Sequence, residues 1–350
     1  MNHKERVLSA LDLRGYDLIT VKHERTTEIN ESLMAYLGVA DYPTLLDRLG
    51  DDFRTVGPVW SGPELRRFPD GSWEGWWGER YMNISFGEGV YPEAAYLPFE
   101  DITNAADLET FRFPGADWFD YRTVKKQCEQ YADFAVMFGS AGYLDFINGI
   151  ARCRGVEQVL LDIAVEDPVF LALMEQRDAF FFEMTERTLQ AAEGLIDIVH
   201  VGEDLGTQNG ILVSPKTFER LFAPKFEAFF RLVHDYGART MMHACGSVRR
   251  FLPRLIEIGL DILDVVQVSA VGMGIRDLQQ AHGHQLCFSG SVCVQSTLPF
   301  GSVEDVCREV ALRQGLFPDG GLILGPTHQI QVGTPMRNIV AMYRCAGSMA

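Results

Sequence analysis

The run GARTMMHACGSVRRFL, residues 237–252, sets a histidine and a cysteine two apart, His243 and Cys245, where an apolar stretch gives way to a helical pattern. An imidazole nitrogen and a thiolate are both zinc ligands, and a catalytic zinc takes about three protein ligands and keeps one position open. Past the end of a strand, residues two apart can both turn into the same space, so this pair can supply two of the three. Glu203 in HVGEDLG is a chemically suitable third, and so are His328 in GPTHQIQVG and Cys293 in SGSVCVQ. Ser247 is expected to begin the next helix, whose N-terminal dipole favours a thiolate at Cys245. The pair alone reads equally as packing, with a small buried thiol and a histidine bonded to a neighbouring loop.

Elements that could position such a set follow from the hydrophobic pattern. From residue 133 onward short apolar runs alternate with amphipathic segments: DFAVMFG (133–139), IDIVHVG (196–202), RTMMHAC (239–245), LDILDVV (260–266), QLCFSG (285–290) and GLILGP (321–326). Helical periodicity follows each run. After IDIVHVG, for instance, Ser214 and Pro215 supply an N-cap and a first-turn proline ahead of Phe218, Leu221, Phe222, Phe229 and Val233. Two earlier runs, DLITVKH (17–23) and FRTVGPVW (53–60), bring the strand count to eight, the number that closes a (β/α)8 TIM barrel of α/β class. A doubly wound open sheet is the alternative. Residues 1–350 are expected to form one barrel domain with an excursion at about 61–115, where Gly, Pro and aromatic residues break the pattern and suggest a small antiparallel insertion. Trp73, Trp76, Trp77 and Tyr81 lie there, as packing or as a flat wall for a planar substrate.

In such a barrel the chemistry belongs at the C-terminal strand ends, where the βα loops converge. Just past five successive strands stand Glu203 and Asp204; His243 and Cys245; Gln267 and Ser269; Ser289, Ser291 and Cys293; and His328, Gln329 and Gln331. Glu203, Asp204 and Gln267 are the candidate catalytic groups, the last two orienting ligands or substrate from the rim. Trp76, Trp77, Tyr81 and Ser289 are the candidate substrate contacts. His200 falls inside its strand and reads as a satisfied core residue, so it is not assigned to the site.

Composition sets outer limits. The formal charge of −17, from 48 acidic and 31 basic residues, argues against a nucleic-acid partner, which needs clustered Lys and Arg; a protein partner with a basic face would suit this field. No run of about 18 apolar residues suggests a membrane span, and MNHKERVLSALDLRGYD carries no signal-peptide core, so a cytoplasmic protein is expected. Seven cysteines, an odd number without framework spacing, fit a reducing compartment better than a disulfide scaffold.

The segments HVGEDLGTQNGILVSPKTFERLFAPKFEAFF, HACGSVRRFLPRLIEIGLDILDVVQVSAVGM, FSGSVCVQSTLPFGS and GLILGPTHQIQVGTPMRNIVAMYRCAG, with KERVLSALDL and FINGIARCRGVEQVLLDIAVEDP before them, resemble the uroporphyrinogen decarboxylase superfamily, and within it the corrinoid-dependent methyltransferase branch. The resemblance implies a (β/α)8 barrel and a zinc-dependent methyltransferase. Such an enzyme moves a methyl group between a small methylated substrate such as a methoxylated compound, or a thiol or tetrahydrofolate, and a corrinoid (cobalamin) carried by a separate protein. The family's His-x-Cys zinc pair matches His243 and Cys245. Its last ligand is often a cysteine near the final strand; here His328 stands in that place, so either its imidazole substitutes or an acidic residue such as Glu203 completes the set. Relatives more often carry an aspartate or a small residue near Cys293, which then reads best as a pocket-lining thiol. The decarboxylase branch has an arginine-rich stretch and an aspartate loop for its substrate. The corresponding TVKHERTTEINESL holds Arg25 alone, which argues against a true uroporphyrinogen decarboxylase. A decarboxylase-like enzyme and a metal-free small-molecule-binding relative are the alternatives, and a homodimer is common among similar proteins.

Overall fold

Each of the eight apolar runs forms a parallel strand in the computed structural model, which describes residues 1–87 and 89–349. The strands are β1 (Thr20–Val21), β2 (Phe53–Val56), β3 (Ala135–Leu144), β4 (Ile198–Gly202), β5 (Arg239–His243), β6 (Ile262–Asp264), β7 (Cys287–Val292) and β8 (Leu322–Pro326). Their order around the sheet is β1-β8-β7-β6-β5-β4-β3-β2, every pair parallel, with helices outside as βα crossovers require. The ladder stops between β1 and β2. There Asp52 bridges the seam: its backbone N donates to Val21 O at 3.1 Å and its carboxylate accepts from Val21 N at 2.8 Å, while Asp51 accepts from His23 N at 2.6 Å.

The barrel interior is layered. Its lower layer is apolar, built from Phe53, Ala135, Met137, Ile198, Met241, Ile262, Cys287 and Ile323 and closed below by Val7 of the helix His3–Leu11. Side chains two apart on a strand share a face. One step up the same strands, therefore, Ile198, Met241, Ile262 and Cys287 give way to His200, His243, Asp264 and Ser289. The chain thus changes from an oily plug to a polar layer within a single strand repeat.

Outside the barrel, the helical segment after β4 begins as its sequence suggests. Ser214 Oγ accepts from Thr217 N, Pro215 sits in the first turn, and after a π turn over Phe218–Phe222 the helix continues through Ala223–Asp235. Phe218, Phe222, Phe226, Phe229, Phe230 and Val233 are buried beneath it. Truncating one fully buried ring here, Phe226→Ala, is expected to lower the unfolding free energy by about 3–5 kcal/mol, checked by urea denaturation.

The excursion is antiparallel. Val59–Trp60 pairs with Phe119–Asp120, and Trp73–Glu74, Arg80–Phe86 and Gly89–Tyr96 form a three-stranded sheet. Trp76 stacks on Trp60 and meets Phe119 and Phe180 edge-on, and Trp77 packs on Phe113, Phe180 and Phe181. These two rings fix the insertion to the helix Pro168–Ala192. They form no wall for a substrate. Against the expectation that the cysteines fit a reducing compartment better than a disulfide scaffold, Cys307 and Cys345, 38 residues apart, form a disulfide between the helices Val303–Leu316 and Met336–Ala346, and the other five are free. Among the described residues no helix is long and apolar enough to cross a membrane.

Candidate metal centre

β5 ends on His243, and the chain turns so that Cys245 comes back beside it, with His243 Nε2 3.1 Å from Cys245 Sγ. His328, on the loop after β8, places its ring 5.6 Å from that of His243. One ligand atom from each of His243, Cys245 and His328 lies within 4.8 Å of the others. Neighbouring rims hold the turn that makes this possible. Cys245 N donates to Asp204 Oδ1 at 2.7 Å, Asn148 Nδ2 donates to Asp204 Oδ2 at 2.8 Å, and Gly246 N donates to Gln267 Oε1 at 2.8 Å. Gly246 has φ +78°, and a Cβ there would sit 2.6 Å from Thr207 O, so only glycine closes the turn without displacing its neighbour. Asp204 and Gln267 thus orient the backbone that carries the thiol.

Glu203 is not part of this set. Its side chain is buried, and its two oxygens accept from Phe146 N at 2.8 Å and Ile147 N at 3.1 Å, capping the helix Phe146–Arg154. Burial, with Asp145 close by, pushes its carboxyl well above the ordinary range. Ser247 does not start a helix either. It donates to Val271 O, and the next helix begins only at Leu252, so no helix dipole acts on Cys245.

The residue that organises the centre is one the motif reading passed over. Asp264, buried at the end of β6, places Oδ2 3.2 Å from both His243 Nδ1 and His200 Nε2. Its Oδ1 accepts from Ser289 Oγ at 2.6 Å and lies 3.5 Å from Lys22 Nζ. Ser289 is therefore a buried partner of Asp264 and contacts no ligand space. Burial alone would raise the Asp264 carboxyl; the Lys22 charge and the two imidazoles outweigh it and hold the group well below the usual carboxylate range. A carboxylate in this position accepts a hydrogen bond from His243 Nδ1–H, which leaves Nε2 as the nitrogen that can give up its proton and bind an ion, the pattern that outer-sphere carboxylates impose on zinc-binding histidines. The donor set therefore fits a zinc ion: a soft thiolate with two imidazoles, one of them fixed in the correct tautomer.

Electrostatics within the cluster agree with the geometry. Burial works to raise the Cys245 thiol, but bonds from His243 and His328 bring it below its ordinary value. His243 is lowered by burial and raised more by Asp264 and Cys245, ending well above the ordinary imidazole range, and His328 is raised chiefly by Cys245. By contrast burial pushes Cys128 up to about 11 and Cys287 to about 12. Iodoacetamide at about pH 8 is therefore expected to alkylate Cys245 ahead of Cys128 and Cys287, and added zinc is expected to protect it, as read by peptide mass spectrometry.

The model of the family described as Uroporphyrinogen decarboxylase (URO-D) matches residues 154–349, more than half of the chain and all of β4–β8. The chain belongs to the URO-D family. Among solved structures this URO-D family member is similar to a methyltransferase from Methanosarcina mazei, with 17% identity, a TM-score of 0.62, and 99% of this chain and 98% of that chain covered. It also matches the YdhT protein from Bacillus subtilis at 9% identity and a TM-score of 0.45, covering 97% and 87% of the two chains. No curated protein matches it. At such identities the first likeness carries the fold.

In this URO-D family member His243 and His328 of the cluster border a cavity of about 1110 Å³, whose lining also includes His200, Asp264 and, from the insertion, Tyr81 and Tyr91. Of the aromatic residues expected to face substrate, Tyr81 alone borders it, with its hydroxyl donating to Glu79 at 3.0 Å. Cys293 is buried and is not among the residues that border this cavity. Arg25 stands on the cavity wall with its guanidinium over the Tyr42 ring.

Proposed function

We propose that the chain is a zinc-dependent methyltransferase that moves a methyl group between a small molecule held in the cavity and a corrinoid carried by a separate protein. One observation carries this reading: Cys245, His243 and His328 converge, His243 and His328 border a large cavity, and Asp264 stands behind His243. The likeness in fold to a methyltransferase supports it. His243, Cys245 and His328 would hold the ion. When bound, zinc supplies Lewis acidity that makes a thiolate available near neutral pH or polarises the oxygen of a methyl ether. The chain's own residues do the positioning. Asp264 fixes the His243 ring, Asp204 and Gln267 fix the turn bearing the thiol, and the cavity walls bring the reacting carbon into line, which is where orientation lowers the barrier to displacement. A thiol or tetrahydrofolate could accept the methyl group, or a methoxylated compound could give it. The net charge of −17 suits a carrier protein that docks through a basic face.

The test is a corrinoid assay on protein purified without chelator. Metal analysis is expected to find stoichiometric zinc, and incubation with a reduced corrinoid carrier and candidate methyl donors is expected to produce the methylcobalamin spectrum. Release of CO2 from a carboxylated substrate with no corrinoid present would overturn the proposal in favour of decarboxylation.

A further inference from the structure

His200 sits in β4 with its ring 6.5 Å from that of His243, 6% exposed and bordering the cavity. A histidine inside an apolar strand is ordinarily satisfied by its neighbours. This one is not. Nε2 lies 3.2 Å from Asp264 Oδ2 but off the hydrogen-bond axis, so that atom is buried without a hydrogen-bond partner, whereas Nδ1 makes no side-chain hydrogen bond among the described residues and is not among the buried atoms that lack one. Gly139 of β3 runs against the same backbone so closely that a Cβ there would stand 2.2 Å from His200 O.

The Asp264 carboxylate decides which nitrogen carries the proton. A lone pair on Nε2 would face the carboxylate oxygen at 3.2 Å and be repelled, whereas an N–H there is attracted even off axis. Burial, and Lys22 nearby, keep the second proton off the ring, against the pull of Asp264. The acceptor lone pair is then on Nδ1. One carboxylate sorts two histidines in opposite senses: His243 donates from Nδ1 and offers Nε2, and His200 donates from Nε2 and offers Nδ1.

We infer that His200 is a substrate-binding residue whose Nδ1 accepts a hydrogen bond from a protic group, O–H, N–H or S–H, of the molecule bound beside the metal centre, and that Asp264 sets the tautomer that allows it. The inference rests on the proposed function for what the neighbouring cluster does, but the tautomer and the bond do not depend on zinc. An acceptor without a protein partner on a residue that borders the cavity is satisfied only by what the cavity holds. The favoured ligands therefore carry a hydrogen on a heteroatom.

The experiment uses the full chain with 15N-labelled histidine and reads long-range 1H–15N correlations, with His200→Gln assigning the signal. Nε2 of His200 is expected to be the protonated nitrogen. Phenol is expected to move the Nδ1 resonance upfield, and its methyl ether anisole is not; in His200→Phe, phenol should bind about tenfold more weakly, as loss of one buried hydrogen bond implies. A proton on Nδ1, or an Nδ1 resonance unmoved by phenol, overturns the inference. Zinc content of the same sample is read separately, so an absent metal defeats the proposed function while the His200 result stands by itself.

Discussion

Cys245→Ser is expected to remove stoichiometric zinc and to cut methyl transfer by about a thousandfold, because several kcal/mol of transition-state stabilisation at about 1.4 kcal/mol per tenfold depend on the thiolate ligand. A serine hydroxyl in the same place stays protonated near neutral pH and is a poor ligand for a borderline-soft ion. The fold should be nearly indifferent, since Cys245 is only partly buried and the hydrogen bond that holds its turn comes from its backbone. Glu203→Gln separates ligand from scaffold. Glutamine offers one acceptor where the two amides of Phe146 and Ile147 need two, so stability should fall by about 1–3 kcal/mol while zinc stays bound. Zinc retained in Cys245→Ser, with transfer unchanged, would rule out the metal centre.

Asp264→Ala carries the second large effect, on stability and metal affinity together. Removing the carboxylate strands the buried Lys22 ammonium with Glu24 as its one remaining anion within 4 Å among the described residues and leaves Ser289 without its acceptor. Breaking a buried pair from one side costs about 3–5 kcal/mol. Loss of the His243 tautomer should weaken zinc about 10–100-fold. The pH dependence has a definite sign. The folded-state pKa of Asp264 lies below its unfolded value of about 3.9, so its contribution is fully present above about pH 4 and disappears as pH falls through the folded value. Urea denaturation should therefore show the full deficit of the variant at neutral pH and a shrinking one in acid. A deficit that grows on acidification would mean that the carboxylate is not the stabilised, ionised group described here.

Much of the frame was legible from the chain alone. Eight apolar runs become eight strands because a strand buried on both faces has to be apolar along its whole length, and Ser214 with Pro215 marks a helix start by local chemistry that no distant contact alters. His243, Cys245 and His328 were found because rim residues follow strand ends. Asp264 and His200 were missed for the opposite reason. Both lie within strands, and whether such a side chain faces the bore or the helices depends on the phase of the period-two alternation. That phase was readable: Ile198, Met241, Ile262 and Cys287 each precede a polar residue by two positions, and an aspartate inside LDILDVV has no inexpensive place in a buried strand without partners. Glu203 misled because its engagement depends on β3 and its loop, far away in sequence. The tryptophans misled because an aromatic cluster in an insertion reads alike whether it faces a ligand or the helix behind it.

The seam between β1 and β2 gives the molecule an adjustable bore. Around the rest of the circumference the spacing of strands is dictated by peptide groups and is the same for any sequence. Between β1 and β2 the join is a single peptide contact, Asp52 N to Val21 O, reinforced by side-chain carboxylates from Asp51 and Asp52, so side-chain length takes part in setting its span. Lengthening either residue by one methylene, as in Asp52→Glu, is expected to shift this join beside Lys22 while the parallel pairings of the other strands stay as they are.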